Sequence, residues 1–204
     1  MKGLLLKDWY LITRYCRFVY LMILAFIVGS LFLSGFTIFL SYPFLFGAIT
    51  PVTLYSYDER EKWHIYSAAL PVSRAQLVSA KYIIGLLSEA AVLLLSVVIR
   101  LVARPFMPEG AFDDSISVLI MSALSLVAPA VTLPLMFRLG AEKGRIAFTI
   151  VLAFFAAVFV VFMNNAAILQ SKTAHIHPAL LCVALALYAA SWLLSIALYK
   201  KREF

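Results

Sequence analysis

The sequence predicts an all-α membrane protein, and three observations predict it. Of its 204 residues, 64% are hydrophobic and only 13% are charged, where a soluble domain carries roughly 45–50% and about 25%. A chain so poor in charge cannot hide its apolar surface in one soluble core, so the bilayer must act as solvent. Apolar runs recur at the length of a membrane-spanning helix, about 20 residues. Those runs lack the two-residue alternation of a barrel strand and are about twice its length.

Six runs are candidate spans: 18–40, 42–57, 76–102, 116–137, 146–169 and 179–199. The second is short and holds Pro43 and Pro51, whose freed backbone groups its neighbours must satisfy. With both termini inside, only Arg100, Arg104 and Lys172 of the 17 Lys and Arg fall outside. That bias predicts a multi-pass membrane protein with both termini cytoplasmic, the expected membrane being the plasma (inner) membrane. The net charge of +7 is then topology and attraction to anionic lipid. It is not a nucleic-acid footprint, since no basic patch is interleaved with stacking aromatics outside the lipid-facing segments.

Residues 1–17 read as an amphipathic interfacial helix. Leu5, Trp9, Ile12 and Cys16 share one face and Lys7, Tyr10, Arg14 and Arg17 another. The alternative is an extension of the first span, against which the charges argue. MKGLLLKDWY lacks an apolar core followed by a small-residue cleavage site, so no cleavable signal is predicted. The first span carries Gly29, Ser30, Ser34 and Gly35, which let a second helix approach closely. Ser41-Tyr42-Pro43 reads as the outer turn.

Between the second and third spans lies the polar stretch DEREKWHIYSAALPVSRAQLVSAK, 58–81. Asp58 and Glu61 have capping-box spacing, and Asp58, Glu59 and Glu61 suit the first turn of a helix. Trp63, Tyr66 and Leu70 share a face at three- and four-residue spacing. Pro71 ends that helix, and Ser73 with Gln76 forms a second capping signature that starts the third span. The expectation is a helix from Asp58 to Leu70, a proline corner and a capped restart.

With one residue added, this stretch, DEREKWHIYSAALPVSRAQLVSAKY, resembles the first cytoplasmic segment of small six-helix ABC exporter permeases of the second membrane-protein class. The shared features are an acidic start, an aromatic residue three to five on, Leu-Pro-Val-Ser-Arg and Ala-Lys-Tyr. The N-terminal Lys-Asp-Trp and the six-span layout match as well. Asp58-Glu59-Arg60 replaces a simpler Glu-containing start, a minor departure. The motif covers about residues 55–85, the layout the whole chain. The resemblance implies a cytoplasmic coupling helix seated in a groove of a separate ATP-binding-cassette ATPase. Trp63, Tyr66 and Leu70 would be its anchors, because buried aromatics dominate interfaces. Glu59, Arg60 and Arg74 would form the polar rim. It also implies two copies of the ATPase, which hold the ATP and Mg, and a second permease subunit, identical or similar. The reading without a partner is an interfacial helix lying on lipid.

Glu89 lies near the middle of the third span. A carboxylate there costs roughly 2.5–3.5 kcal/mol on insertion scales, so it faces the bundle interior, a partner or a cavity. It reads either as a translocation-path or gate residue or as a neutral interhelical hydrogen-bonder. No basic residue lies at its depth. Residues 103–115 form an outer loop, Pro129 and Pro134 kink the fourth span, and 138–145 is a tight inner connector with two glycines. Asn164 and Asn165 lie near the outer end of the fifth span. His175 and His177 lack a third ligand and do not make a metal site. Cys16 and Cys182 lie near opposite membrane faces and cannot pair within one chain.

The chain lacks GxxxxGK[ST], HExxH, GxSxG and CxxC. It is therefore read as no enzyme, with no cofactor of its own. The expected function is the permease subunit of an ATP-driven exporter of bacterial peptide or antibiotic type. Its cargo would be apolar or amphipathic: a peptide toxin, antimicrobial peptide, drug or lipid. The rival classes are a secondary transporter or channel using Glu89, and a membrane anchor or sensor for a cytosolic protein.

Overall fold

The computed structural model describes residues 2–32, 36–103, 115–164 and 177–201. These residues form eight helices and no strand: α1 (Lys2–Tyr15), α2 (Arg17–Phe32), α3 (Phe36–Arg60), α4 (Trp63–Ala68), α5 (Arg74–Ala103), α6 (Ser115–Leu139), α7 (Ala141–Asn164) and α8 (His177–Lys200). Hydrocarbon imposes this choice, because a helix satisfies its backbone polar groups within its own segment. Among the described residues, three helices are long and apolar enough to cross a membrane: Arg74–Ile99, Met121–Leu139 and Leu180–Lys200. The bent pair α1 and α2 makes a fourth if counted as one span.

Helix α6 lies at the centre, packed against α8, α7, α3 and, less extensively, α5. Its Leu133, Met136 and Phe137 join Tyr55, Val78, Tyr82 and Tyr188 in the main core. Ile23, Ile27, Phe44, Val92 and Met121 form a second cluster between α2, α3, α5 and α6. Ile12, Cys16, Leu54 and Ile84 form a third, which holds α1 to α3 and α5.

At Cys16 the helix axis turns by 68°. Backbone pairing continues across the bend, with Cys16 N–H donating to Ile12 (2.9 Å) and Tyr20 N–H to Cys16 (3.1 Å). So α1 is a separate helix and does not extend α2 in a straight line. Its buried face is Leu4, Asp8 and Ile12, with Cys16 next in the series, four residues apart. Trp9, expected on one face with Leu5, Ile12 and Cys16, is 61% exposed. The helix is rotated by about one position because Asp8 is drawn inward to a lysine on α5.

Ser41-Tyr42-Pro43 is not a turn: all three lie within α3, which holds Pro43 and Pro51 in its interior. Both prolines are buried, and the Gly47 carbonyl, four residues before Pro51, accepts from Ser88 Oγ (3.3 Å). Among the described residues no atom comes within 4 Å of a Cβ built on Gly29, so the close approach expected there is not made by them. The side chains of Ser30, Ser34 and Gly35 fall outside the described ones.

The helix expected from Asp58 to Leu70 is two pieces. Asp58, Glu59 and Arg60 are the last turn of α3. Lys62 N–H then reaches back three residues to Glu59 (3.0 Å), and Lys62 turns left-handed with φ 53°. That conformation costs a non-glycine residue roughly 1–2 kcal/mol and stops the helix. The α4 helix starts afresh at Trp63 and lasts six residues. The capping pair at the far side forms as expected: Gln76 N–H donates to Ser73 Oγ (3.2 Å) and Ser73 N–H to Gln76 Oε1 (3.0 Å).

The connector expected over 138–145 shrinks to Gly140, whose φ of 90° suits a glycine closing a helix. Helix α7 begins at once, and crosses α6 where Gly144 has no side chain. A Cβ there would stand 2.2 Å from Met136 Cγ and 3.0 Å from its Cα. Across the bundle, Tyr82 of α5 meets Ser191 and Ser195 of α8 (2.8 and 2.7 Å). The Tyr188 hydroxyl donates to the Tyr82 carbonyl (3.0 Å) and Trp192 Nε1 to Ser79 Oγ (3.0 Å). Cys16 and Cys182 are both free thiols. The expectations for 104–114, Asn165 and His175 lie outside the described residues.

Candidate functional site

Three helices meet at the end of the bundle where α3 gives way to α4. Each brings a charge. Asp58 comes from the last turn of α3, Lys7 and Asp8 from α1, and Lys81 from the second turn of α5. Asp58 takes Lys7 on Oδ1 and Lys81 on Oδ2, both at 2.6 Å. Asp8 Oδ1 takes Lys81 at 2.7 Å and Lys7 at 3.1 Å. The result is a closed ring of two cations and two anions. The Asp8 and Lys81 side chains are 1% and 6% exposed. Charges so deep are tolerated because every one faces two of opposite sign. Sequence reading placed these residues on separate elements. Asp58 reads there as a capping residue, Lys7 as a polar-face charge, and Lys-Asp-Trp and Ala-Lys-Tyr as motif, with no pairing assigned.

The ring reaches the segment after α3 through Trp63. Lys7 Nζ stands 4.3 Å over the indole centroid, a cation–π contact. Trp63 is half-buried, and its Nε1 is enclosed without a protein hydrogen-bond partner. Tyr66 and Leu70, expected on the same face, are instead 65% and 45% exposed. The helix stops at Ala68, so the 3.6-residue period that grouped the three does not run through to Leu70. Ile65, unremarked in the sequence, is 59% exposed beside them. The segment thus has an inner side, Trp63 and Ser67, and an apolar outer side, Ile65, Tyr66 and Leu70.

The three polar residues expected at the rim hold different places. Glu59 accepts the N–H of Ala141 and so caps the start of α7. Its charge serves a helix N-terminus, but that of α7. Arg74 reaches the end of α8, where its Nη1 donates to the Lys200 carbonyl at 3.0 Å. Arg60 is exposed and borders, with Arg145, an open cavity of about 460 Å³ between α3 and α7.

Glu89 is remote from this ring. It is 6% exposed, between α3, α5 and α6, and turned away from lipid. Ser125 Oγ donates to its Oε2 at 3.0 Å, while Oε1 is enclosed without a partner. Gly47 makes the space: a Cβ there would lie 3.1 Å from Oε1. Among the described residues no cation pairs with Glu89. Ser96 Oγ, on α5, is likewise buried with no partner among the described residues. Among the described residues no group of acids, His and Cys could hold a metal ion.

No curated protein matches this chain, and neither does any solved structure. A family model described as ABC-2 family transporter protein matches residues 3–200, nearly the whole chain. That family is a transmembrane component and not itself the ATPase, and it implies an ATPase partner in a transporter complex. This multi-pass membrane chain of packed apolar helices belongs to the ABC-2 family of transporter proteins.

Proposed function

We propose that this chain is the permease subunit of an ATP-driven exporter. It crosses the plasma membrane six times, by α2, α3, α5, α6, α7 and α8, with both termini in the cytoplasm. Helix α1 lies in the inner interface plane. Two copies, or this chain and a similar one, work with two ATPase subunits that hold ATP and Mg. The ATPase docks on the outer side of the α4 segment, at Ile65, Tyr66 and Leu70, with Arg60 at the rim. Trp63 acts from beneath, through Lys7, and so differs from the anchor the resemblance implied.

One observation carries this reading: an exposed apolar surface whose underside is fixed to a buried four-charge ring. Exposed aromatics on a short surface helix are what an interface buries. The ring makes α1, the end of α3 and the start of α5 move with that surface. Closure of the ATPase pair on ATP would then tilt these elements as one rigid body and open the path outward, since ATP binds one state better than the other. Glu89, with its unpartnered oxygen at a three-helix junction, is proposed as a gate or path residue. The cargo is apolar or amphipathic.

The test is co-purification of a candidate ATP-binding-cassette ATPase co-expressed with this chain. Tyr66→Ala with Leu70→Ala should lose about 2 kcal/mol or more of docking, as interface hot spots do. Equal recovery of the ATPase with wild type and variant would defeat the docking assignment. Stimulation of ATP hydrolysis by candidate cargoes in the reconstituted complex would identify the cargo class.

A further inference from the structure

The 68° bend between α1 and α2 has a geometric consequence. A helix in the interface plane followed by one that crosses the bilayer leaves a wedge against the helix both touch, α5. The wedge is an open groove of about 440 Å³, within the roughly 300–1,000 Å³ of ligand pockets. Ile12 and Ile84 form its floor, and Trp9, Leu87 and Ala91 its sides. Trp9 and Leu87 are 61% and 60% exposed, so the apolar walls face outward with none of the described residues over them.

The polar groups in the wall are occupied locally. Thr13 Oγ1 donates to the Tyr10 carbonyl at 3.0 Å, and Ser88 Oγ to the Gly85 carbonyl at 2.8 Å. Arg17 is the exception. It is exposed, lines the groove at the bend, and pairs with no carboxylate among the described residues. The groove therefore has one free cation at its interfacial end and hydrocarbon along the rest. A phospholipid has the same polarity: an anionic phosphate at the surface and an acyl chain inward. Trp9 stands at the level where aromatic rings anchor to headgroups.

We propose that this groove is a binding site for one anionic phospholipid of the inner leaflet. One acyl chain lies between α1, α2 and α5, and the phosphate rests on Arg17. The site wedges the α1–α2 bend and so sets the angle of the helix that carries Lys7 and Asp8. The proposal rests on α1 lying in the interface plane. It is read on the permease alone, so its failure leaves the ATPase-docking assignment standing.

The experiment is native mass spectrometry of the detergent-purified chain titrated with phosphatidylglycerol or phosphatidylcholine of equal chain length, and with glycerol phosphate. Wild type should retain one phosphatidylglycerol in preference to phosphatidylcholine. Arg17→Gln should lower that preference about tenfold or more, the size of a lost hydrogen bond to a charged group. Arg17→Lys should keep most of it. Arg14→Gln, equally close to the interface but not lining the groove, should match wild type. Ala91→Trp, which fills the groove, should release both lipids. Equal losses in Arg14→Gln and Arg17→Gln would reduce the effect to general attraction and overturn the site. So would full retention in Ala91→Trp, or equal binding of glycerol phosphate, which has no acyl chain. Should Ala91→Trp not fold, the two Arg17 variants and the Arg14 control decide alone.

Discussion

Asp8 is the residue on which the charged junction turns, since it is the deepest of the four and both lysines reach it. With all four present, the ring is neutral. Removing one lysine leaves two aspartates sharing one cation in a nearly dry site, which costs about 3–5 kcal/mol when a buried pair is broken. Lys81→Met should therefore lower the unfolding midpoint in detergent sharply. Lys81→Met with Asp8→Leu leaves the Lys7–Asp58 pair, neutral again, and should recover most of the loss. A double variant no more stable than the single would show that the ring is not the source of the effect. None of this is visible in sequence. The four residues stand at 7, 8, 58 and 81, and three looked like ordinary topology or capping charges. Pairing across such separations is settled only when α1 folds back beside α3 and α5.

At the scale of elements, glycine positions separate local from tertiary causes. Gly140 has a local cause, since it closes α6 with positive φ inside the stretch that its two glycines marked as a connector. Gly144 is not, because its reason is Met136 on the facing helix. Gly144→Ala should overpack the α6–α7 crossing and cost about 1–3 kcal/mol. Gly29→Ala, with open space around it, should be neutral or slightly stabilising within this chain. Thermal unfolding of the two variants side by side checks the contrast, and similar midpoints would contradict the crossing. The Ser73–Gln76 cap formed as its spacing indicated because both partners lie in one turn. The Asp58–Glu61 cap did not form. Asp58 found stronger partners in two lysines, and the helix that ends there is the long α3, carried three residues past the expected end at Tyr57.

For the molecule as a whole, two ties matter. The charged ring binds α1, α3 and α5 at one end, and the Tyr82–Ser191–Ser195 contacts bind α5 to α8. Glu89 sits about two turns further along α5 than either tie, facing α3 and α6 across from Gly47 and Ser125. A motion that shifts α5 against α6 would separate Glu89 from Ser125, so the gate reading predicts a transport effect with little effect on folding. Glu89→Gln keeps the volume and the hydrogen-bonding reach of the side chain. It should leave the unfolding midpoint close to wild type and reduce cargo flux into inverted vesicles. Unchanged flux would assign Glu89 to packing alone.

By itself the sequence determined the class: helices in a bilayer, no catalytic or nucleotide motif, and a polar segment after the second long apolar run. Composition and run length carry that information, and both are sums over residues that need no partner. It also located Glu89 in the interior, because a carboxyl among apolar residues has nowhere cheaper to go. The tertiary structure decided which side of the polar segment is free. Trp63 turned inward to a lysine 56 positions away in sequence, Glu59 and Arg74 went to the ends of α7 and α8, and Ile65, Tyr66 and Leu70 were left outside. Periodicity cannot foresee that choice, since it depends on which charges and helix ends fold up beside the segment.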